Sequence, residues 1–142
     1  MHGRGDHYEA LTPAERENVE VIRRGYDAFA RGDVPGLLAL MAEDIEIDQR
    51  GALPPNEQYF GHAGTLKWLG DLAALWEDMA IQPLDYHGGH RSLVIVNAQF
   101  SARQRSTGEM VEASASHIFH LADGKISLLR IYQDRGTVDA SG

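Results

Sequence analysis

The chain of 142 residues is long enough for one domain with a sizeable core, since apolar residues make up 43% of it and charged residues 24%. Its formal net charge of −8 at pH 7 argues against electrostatic binding to nucleic acid or to anionic membranes. The absence of cysteine excludes a disulfide framework and thiolate catalysis, and because no long apolar run or signal-peptide core is found, a cytoplasmic protein is expected.

Two helices are predicted in the first third of the chain. Thr12-Pro13-Ala14-Glu15 is typical of a helix start, with a capping threonine, a proline in the first turn and a glutamate that can reach back to the cap. Apolar residues then recur at spacings of three and four as far as Phe29, which indicates one buried stripe. Gly32 ends this helix, and Asp33 caps a second helix whose apolar stripe is expected to be Leu37, Leu40 and Met41.

The middle of the chain is predicted to hold a strand, a loop and a third helix. A short strand begins at Ile45, because "IEIDQ" alternates apolar and polar residues. The stretch "GALPPNEQYF" is predicted to be a loop, because Pro54-Pro55 removes two backbone donors. The third helix is predicted to run from Gly61 to about Trp76.

Strand candidates fill the second half of the chain, and short glycine-containing breaks separate them: Ala80–Tyr86, Arg91–Arg103, Met110–Leu121 and Ile126–Gln133. Breaks of hairpin length make the sheet largely antiparallel. Helices first and a meandering sheet last are the pattern of an α+β fold. Residues 1–10 are expected to be a flexible arm, 11–135 a single domain and 136–142 a flexible tail.

Three stretches of the sequence resemble one known family. They are "YDAFARGDVPGLLALMAEDIEI", "YFGHAGTLKWL" and "HIFHLADGKISLLRIYQD", and the resemblance extends from about Asn18 to Asp134. The chain resembles the SnoaL-like branch of the nuclear-transport-factor-2-like superfamily. The resemblance implies a cone-shaped α+β fold, in which three N-terminal helices pack on a curved, mostly antiparallel sheet around an apolar pocket. It also implies frequent dimerisation through the outer face of the sheet.

The active sites of two members of this superfamily are not retained. The catalytic Asp, Arg and Asp positions of limonene-1,2-epoxide hydrolase, aligned on the glycine turns, fall on Phe100, Ala98 and Ile131. In the ketosteroid isomerase pattern, Gln49 occupies the position of the general base, and the oxyanion-hole tyrosine falls on Gly25, next to Tyr26. The resemblance therefore predicts the fold and leaves the activity open.

The strand that begins "EASASHIFH" is unusual, because small residues precede a histidine. Since strand side chains alternate between faces, Ala113, Ala115, His117 and Phe119 share one face, which lines the cavity in the aligned hydrolase. The two alanines are expected to leave room for a ligand, with His117 projecting into that room. An unperturbed histidine titrates near pH 6.5, which suits a general acid or base. The alternative is a structural histidine that bonds to the backbone.

Asp48 is the second candidate for acid–base chemistry, at the end of the first strand. If its carboxyl faces the cavity, burial would raise its pKa and make it a usable base. Alternatively it pairs with Arg50, whose charge would lower that pKa. Whether the Asp48/Arg50 face or the Gln49 face of the strand lines the pocket stays open at this point.

Further pocket residues are predicted around these two candidates. Arg50, Gln49 or Gln133 would orient a carbonyl group of the ligand. The wall is expected to comprise Tyr26, Phe60, Trp68, Phe100, Ala113, Ala115, Phe119 and Ile131, with ordinary core packing as the alternative for the aromatic residues. His87-Gly88-Gly89-His90 has the spacing of metal ligands, but two ligands do not complete a zinc site, so neither a metal nor a cofactor is expected.

Three functions remain open on the sequence. The first is an enzyme that isomerises, cyclises or dehydrates a small apolar oxygenated molecule without a cofactor, with Asp48 and His117 as acid–base groups. The second is a non-catalytic protein that binds such a molecule in the same pocket. The third is a structural dimer module. A homodimer is expected through the sheet face that carries Ser114, Ser116, Ile118, Arg130 and Tyr132.

Overall fold

The computed structural model describes residues 12–88 and 90–134, so the predicted arm and tail lie outside the described residues. The described chain contains three α-helices: α1 (Pro13–Arg31), α2 (Val34–Ala39) and α3 (Gly61–Leu75). A 3-10 turn covers His90–Ser92. The six strands are β1 (Met41–Gly51), β2 (Gln58–Phe60), β3 (Trp76–Gly88), β4 (Leu93–Gln104), β5 (Met110–Ala122) and β6 (Lys125–Asp134).

Side-chain caps start the first two helices where the sequence predicts them. The Thr12 hydroxyl accepts a hydrogen bond from the Glu15 amide at 3.1 Å, and the Glu15 carboxylate accepts one from the Thr12 amide at 2.9 Å. Gly32 ends α1 in the left-handed conformation, with φ of 69°. The carboxylate of Asp33 then caps α2 by accepting from the Gly36 amide at 3.0 Å.

The strands form one sheet in the order β2-β1-β6-β5-β4-β3. Every neighbouring pair is antiparallel except β1 and β6, which run parallel. The last three strands form the predicted meander, and Asp123 and Gly124 both have positive φ in the turn between β5 and β6. The α+β class and the mostly antiparallel sheet are therefore confirmed.

The start of β1 differs from the sequence prediction. Met41 was expected on the second helix, but it begins a strand four residues before Ile45. Met41 pairs with Ile126 of β6, and the Ile126 amide donates to the Leu40 carbonyl at 2.9 Å. Pairing with a distant strand here overrides the local helical spacing.

Two further boundaries also depend on pairing between distant segments. β2 lies within the predicted loop, because Gln58–Phe60 pair antiparallel with β1. β3 begins at Trp76 rather than at Ala80, since Trp76 pairs with Gln104 of β4. An irregularity at Asp78, whose φ is 54°, interrupts the side-chain alternation, so local sequence did not reveal this start.

The helices and the inward face of the sheet share one hydrophobic core. Alternate residues of β4 and β5 point into it, and Val94, Val96, Val111 and Ala113 have at most 1% of their surface exposed. Within the described residues, no helix is long and apolar enough to span a bilayer. The same part of the chain brings together no group of three side chains suited to holding a metal ion.

Candidate functional site

A cavity lies within this core, between α1 and α3 on one side and the inward face of the sheet on the other. Its walls include six aromatic side chains, Tyr26, Phe29, Trp68, Trp76, Phe100 and Phe119. The space open to the centre of a water-sized sphere is about 70 Å³. One water needs roughly 10–15 Å³ by that measure, so the cavity has room for a larger molecule.

No charged side chain lines the cavity among the described residues. Apart from the two indole N–H groups, its polar side chains are those of Tyr26, Gln49, His117 and Gln133. A mostly apolar wall with a few placed polar groups is the usual composition of a site for a small organic ligand. An ionised ligand would lose its hydration there without gaining a charged partner.

Tyr26 and His117 form a polar pair inside the cavity. α1 carries Tyr26 and β5 carries His117, and the tyrosine hydroxyl lies 2.6 Å from His117 Nδ1. The two rings are stacked, with centroids 5.8 Å apart and an angle of 16° between their planes. Phe119 and Tyr86 present their edges or faces to the Tyr26 ring, with centroids 5.9 and 6.1 Å away. Aromatic contacts on several sides therefore hold the pair in place.

Burial keeps both members of this pair uncharged near neutral pH. The His117 side chain is almost fully buried, and desolvation lowers its pKa to about 4. Desolvation also raises the pKa of the Tyr26 phenol, and the nearby Tyr86 raises it further. At pH 7 the cavity therefore contains a neutral imidazole and a neutral phenol.

Two glutamines hold the loop between β1 and β2 against the cavity. Gln49 Nε2 donates to the Leu53 carbonyl at 3.0 Å, and Gln133 Oε1 accepts from the Leu53 amide at 2.8 Å. The Trp68 indole N–H donates to Gln49 Oε1 at 2.6 Å. Both backbone polar groups of Leu53 are thereby satisfied by side chains that line the cavity.

A second tryptophan holds the same loop one residue further on. The Trp76 indole N–H donates to the Pro54 carbonyl at 2.9 Å, and Pro54 itself lines the cavity. The Trp76 ring packs edge-to-face on Phe100, with centroids 5.4 Å apart. Side chains of α3, β1, β3 and β6 therefore close this side of the cavity over the proline loop.

Asp48 lies on the opposite face of β1 from the cavity. Its carboxylate accepts from the guanidinium of Arg50 through two bonds of 3.0 Å, and the Arg130 guanidinium lies 3.4 Å away. The hydrogen bonds from Arg50, together with the charges of both arginines, lower the pKa of Asp48 to about 2. The geometry thus supplies no Asp48 base to the cavity, and Gln49 is the residue of this strand end that lines it.

Four other predicted pocket residues do not line the cavity. Arg50 pairs with Asp48 on the outer face, and Phe60 is 62% exposed just before α3. Ala113 and Ala115 face inward but lie outside the cavity wall. Their partners on β4 are Phe100 and Ala98, and from this part of the two strands it is the Phe100 ring that reaches the cavity.

The sequence prediction left out several residues of the wall. Phe29 belongs to the apolar stripe of α1, but nothing in that stripe distinguishes a cavity residue from a core residue. Met79 and Ile81 lie on β3, whose irregular start hides their shared face. Gly25 lines the cavity without a side chain, so it leaves space there. A Cβ placed at this position would have Ile126 Cδ1 as its nearest atom, at 3.9 Å. Only the ketosteroid isomerase alignment pointed to position 25.

The comparisons with known proteins agree with this architecture. The SnoaL-like domain model matches residues 22–129, which is most of the described chain. The chain belongs to the SnoaL-like domain family. A nuclear-transport-factor-2-like protein from Burkholderia xenovorans LB400 is 27% identical, with a TM-score of 0.76 over 88% of this chain and 95% of that chain. The superfamily predicted from the three sequence stretches is therefore confirmed.

More distant structures share the fold of this SnoaL-like domain. A candidate SnoaL-like polyketide cyclase from Jannaschia sp. CCS1 is 19% identical, with a TM-score of 0.76 over 92% of this chain and 94% of that chain. TerC, co-crystallised with polyporic acid, is 22% identical, with a TM-score of 0.73 over 87% of this chain and 96% of that chain. No curated protein sequence matches the chain.

The buried His117 makes the stability of this SnoaL-like domain depend on pH. Its pKa is about 4 in the folded state against about 6.5 for an unperturbed histidine, so the unfolded state binds more protons between these values. The stability contribution of His117 is fully present above pH 6.5 and is lost as the pH falls towards 4. At about 1.4 kcal/mol per pKa unit, the loss is at most about 3 kcal/mol.

His117→Gln should remove this step from the pH dependence of the free energy of unfolding, measured by urea denaturation between pH 4 and 7. His120→Gln is the matched control, because His120 is exposed on the same strand. The step should persist in that variant. A step of equal size in His117→Gln would contradict a neutral, buried His117.

Proposed function

We propose that this SnoaL-like domain binds a small, neutral, largely apolar oxygenated molecule in its cavity. The observation that carries the proposal is the wall itself, which combines six aromatic side chains with no charged one among the described residues. Burying a flat apolar ligand against such a wall is favourable at roughly 25 cal/mol per Å² of apolar surface removed from water. The neighbours described as a candidate polyketide cyclase and as co-crystallised with polyporic acid support a small-molecule role.

Naphthalene should bind to the wild-type protein, and Gly25→Leu should abolish that binding. A leucine at this buried helical position projects into the cavity, and the Cβ itself meets no backbone atom within 4 Å. Trp68 and Trp76, the only tryptophans of the sequence, both line the cavity, so quenching of their fluorescence reports occupancy.

Gly70→Leu provides the control for this experiment. Gly70 is an exposed glycine within α3, and a Cβ there meets nothing within 4 Å. Both substitutions replace a helical glycine with a better helix former, but only the one at Gly25 fills the cavity.

2-Naphthoate should bind at least about tenfold more weakly than naphthalene, because its carboxylate finds no cation among the described residues of the wall. A wild-type protein that binds neither compound would overturn the proposed function.

A second candidate function is cofactor-independent acid–base catalysis on the bound molecule, as in an isomerase, cyclase or dehydratase. The observation in its favour is the short hydrogen bond between Tyr26 and His117 in an apolar cavity. Against it, a histidine with a pKa of about 4 is a weak base near neutral pH. Asp48 is held by two arginines on the other face of the sheet.

Hydrogen–deuterium exchange of the methyl protons of 2-acetylnaphthalene distinguishes the two candidates. We expect no acceleration by the wild-type protein over buffer, as measured by proton NMR in D₂O. An acceleration that His117→Gln removes and Asp48→Asn retains would instead favour catalysis by the Tyr26–His117 pair. An acceleration lost in Asp48→Asn would show that the carboxylate reaches the ligand, contrary to its position in the structure.

We further propose that two chains associate through the outer face of the sheet. This face carries a shallow depression between β3 and β6, to which Leu84, Asn97, Ser116 and Tyr132 contribute. Leu84 is 59% exposed and Tyr132 is 45% exposed, and both border this one depression, where they contribute apolar surface to a single region. Covering them against a second copy would remove this apolar surface from water.

Tyr132→Glu should convert the dimer into a monomer of 15.7 kDa in light scattering at micromolar concentration, because it would place two charges in the interface. Leu66→Glu is the control, since Leu66 is 50% exposed on α3, which packs on the other side of the sheet. The Leu66 variant should keep the wild-type mass. A monomeric wild-type protein would contradict the proposed dimer.

A further inference from the structure

The hydrogen-bonding role of each atom in the Tyr26–His117 pair can be deduced from what surrounds it. Within residues 12–88 and 90–134, the Tyr26 hydroxyl has one hydrogen-bond partner, His117 Nδ1. The phenol retains its proton at neutral pH, because burial opposes its ionisation. That proton needs an acceptor, and Nδ1 of a neutral imidazole is the one within reach.

The tautomer of His117 follows from this donation. If Nδ1 accepts, the single proton of the neutral ring is on Nε2. The opposite tautomer would leave the buried phenol proton without an acceptor among the described residues, and an unsatisfied buried donor costs about 1–3 kcal/mol. The geometry therefore favours an Nε2–H group on a side chain that is 5% exposed and lines the cavity.

This Nε2–H has no hydrogen-bond partner within the part of the chain that the structure describes. Buried N–H groups are nearly always paired, so a group left over in a cavity wall indicates where a ligand atom belongs. The partner must be an acceptor. The lining formed by the described residues also supplies no cation to compensate an anionic acceptor, which leaves neutral acceptors, and an oxygen atom is the one that the oxygenated ligand of the proposed function would offer.

The other polar side chains of the cavity also offer a ligand hydrogen-bond donors and no vacant glutamine oxygen. The carbonyl oxygens of Gln49 and Gln133 already accept from the Trp68 indole and the Leu53 amide. Gln133 Nε2 has no hydrogen-bond partner among the described residues, so the amide offers a further donor. An alcohol could accept from these groups, but its own hydroxyl proton would then need an acceptor, and the glutamine oxygens of the cavity already accept hydrogen bonds. A carbonyl oxygen has no such proton.

We propose that the cavity selects a ligand with a ketone-type carbonyl, whose oxygen accepts a hydrogen bond from His117 Nε2–H. This proposal rests on the proposed function, since it concerns the same cavity. His117 contacts the ligand in this proposal, and Tyr26 is a positioning residue that fixes the imidazole tautomer. The aromatic wall binds the hydrocarbon part of the ligand, and the imidazole fixes its orientation.

A pair of ligands with the same shape tests the proposal. 2-Acetylnaphthalene carries a ketone, and 2-isopropenylnaphthalene replaces the carbonyl oxygen by a CH₂ group. The ratio of their dissociation constants is measured by tryptophan quenching in the wild-type protein and in His117→Phe. Phenylalanine keeps the flat ring and removes the donor. We expect the relative preference for the ketone to fall about tenfold in the variant, as for the loss of one buried hydrogen bond.

The outcomes separate the two proposals. An unchanged ratio in His117→Phe would overturn the carbonyl proposal, while binding of naphthalene would still support the cavity as a binding site. If neither naphthalene nor the pair binds to the wild-type protein, both proposals are wrong. If His117→Phe does not fold because the phenol is left unpaired, the double variant Tyr26→Phe/His117→Phe removes both polar groups and gives the same comparison.

The role of Tyr26 has its own readout. Long-range ¹H–¹⁵N NMR distinguishes protonated from unprotonated ring nitrogens, and the His117 signals are assigned by their loss in His117→Phe. In the wild-type protein we expect Nε2 to be protonated and Nδ1 to be unprotonated. In Tyr26→Phe we expect a mixture of the two tautomers and a smaller ketone preference. A wild-type His117 protonated on Nδ1 would overturn the proposal.

Discussion

The hydrogen bond between Tyr26 and His117 is the interaction on which the character of the cavity depends. Two titratable side chains lie together in an aromatic environment, with the phenol oxygen 2.6 Å from the imidazole Nδ1, and neither has a charged partner within residues 12–88 and 90–134. Burying either group alone would leave a polar atom without a partner at a substantial cost. Together they pair the phenol proton with Nδ1 and leave one imidazole N–H for a ligand, so the cavity can contain polar groups and still be uncharged near neutral pH.

Charges are kept away from this site by the alternation of side chains along the strands. On β1, Gln49 points into the cavity while Asp48 points to the outer face, where two arginines hold its carboxylate. The inward Gln49 has a structural role, because its amide hydrogen-bonds both the Trp68 indole and the backbone carbonyl of Leu53. One strand end therefore provides an ion pair outside and a neutral clamp on the proline loop inside. This division favours ligand binding over acid–base catalysis by a carboxylate.

Local sequence predicted those parts of the fold whose cause is local. The capping box at Thr12, the left-handed Gly32 and the turn at Asp123-Gly124 all lie where the pattern places them. The starts of β1 and β3 and the existence of β2 depend on ladder partners that are distant in the chain. The strand or helix propensity of a few residues does not depend on such distant partners, which is why these strand boundaries were wrong or missed.

In the candidate site, too, features with a local cause were predicted and features that depend on distant residues were not. Alternation placed His117 on the inward face of β5 correctly, but it could not tell that Ala115, two residues earlier, lies outside the cavity wall. That distinction depends on which side chains of the neighbouring strand and helices occupy the space. The partnership of Tyr26 with His117 joins residues 91 positions apart and was not foreseen.

A crystal structure of the protein with 2-acetylnaphthalene bound is the most direct test of a carbonyl site at His117. We expect the naphthalene rings within the aromatic wall, and the ketone oxygen about 2.7–3.2 Å from His117 Nε2, the usual length of an N–H···O hydrogen bond. The hydroxyl of Tyr26 should remain bonded to Nδ1. A ligand in the cavity whose carbonyl points away from His117, or one bound outside the cavity, would contradict it.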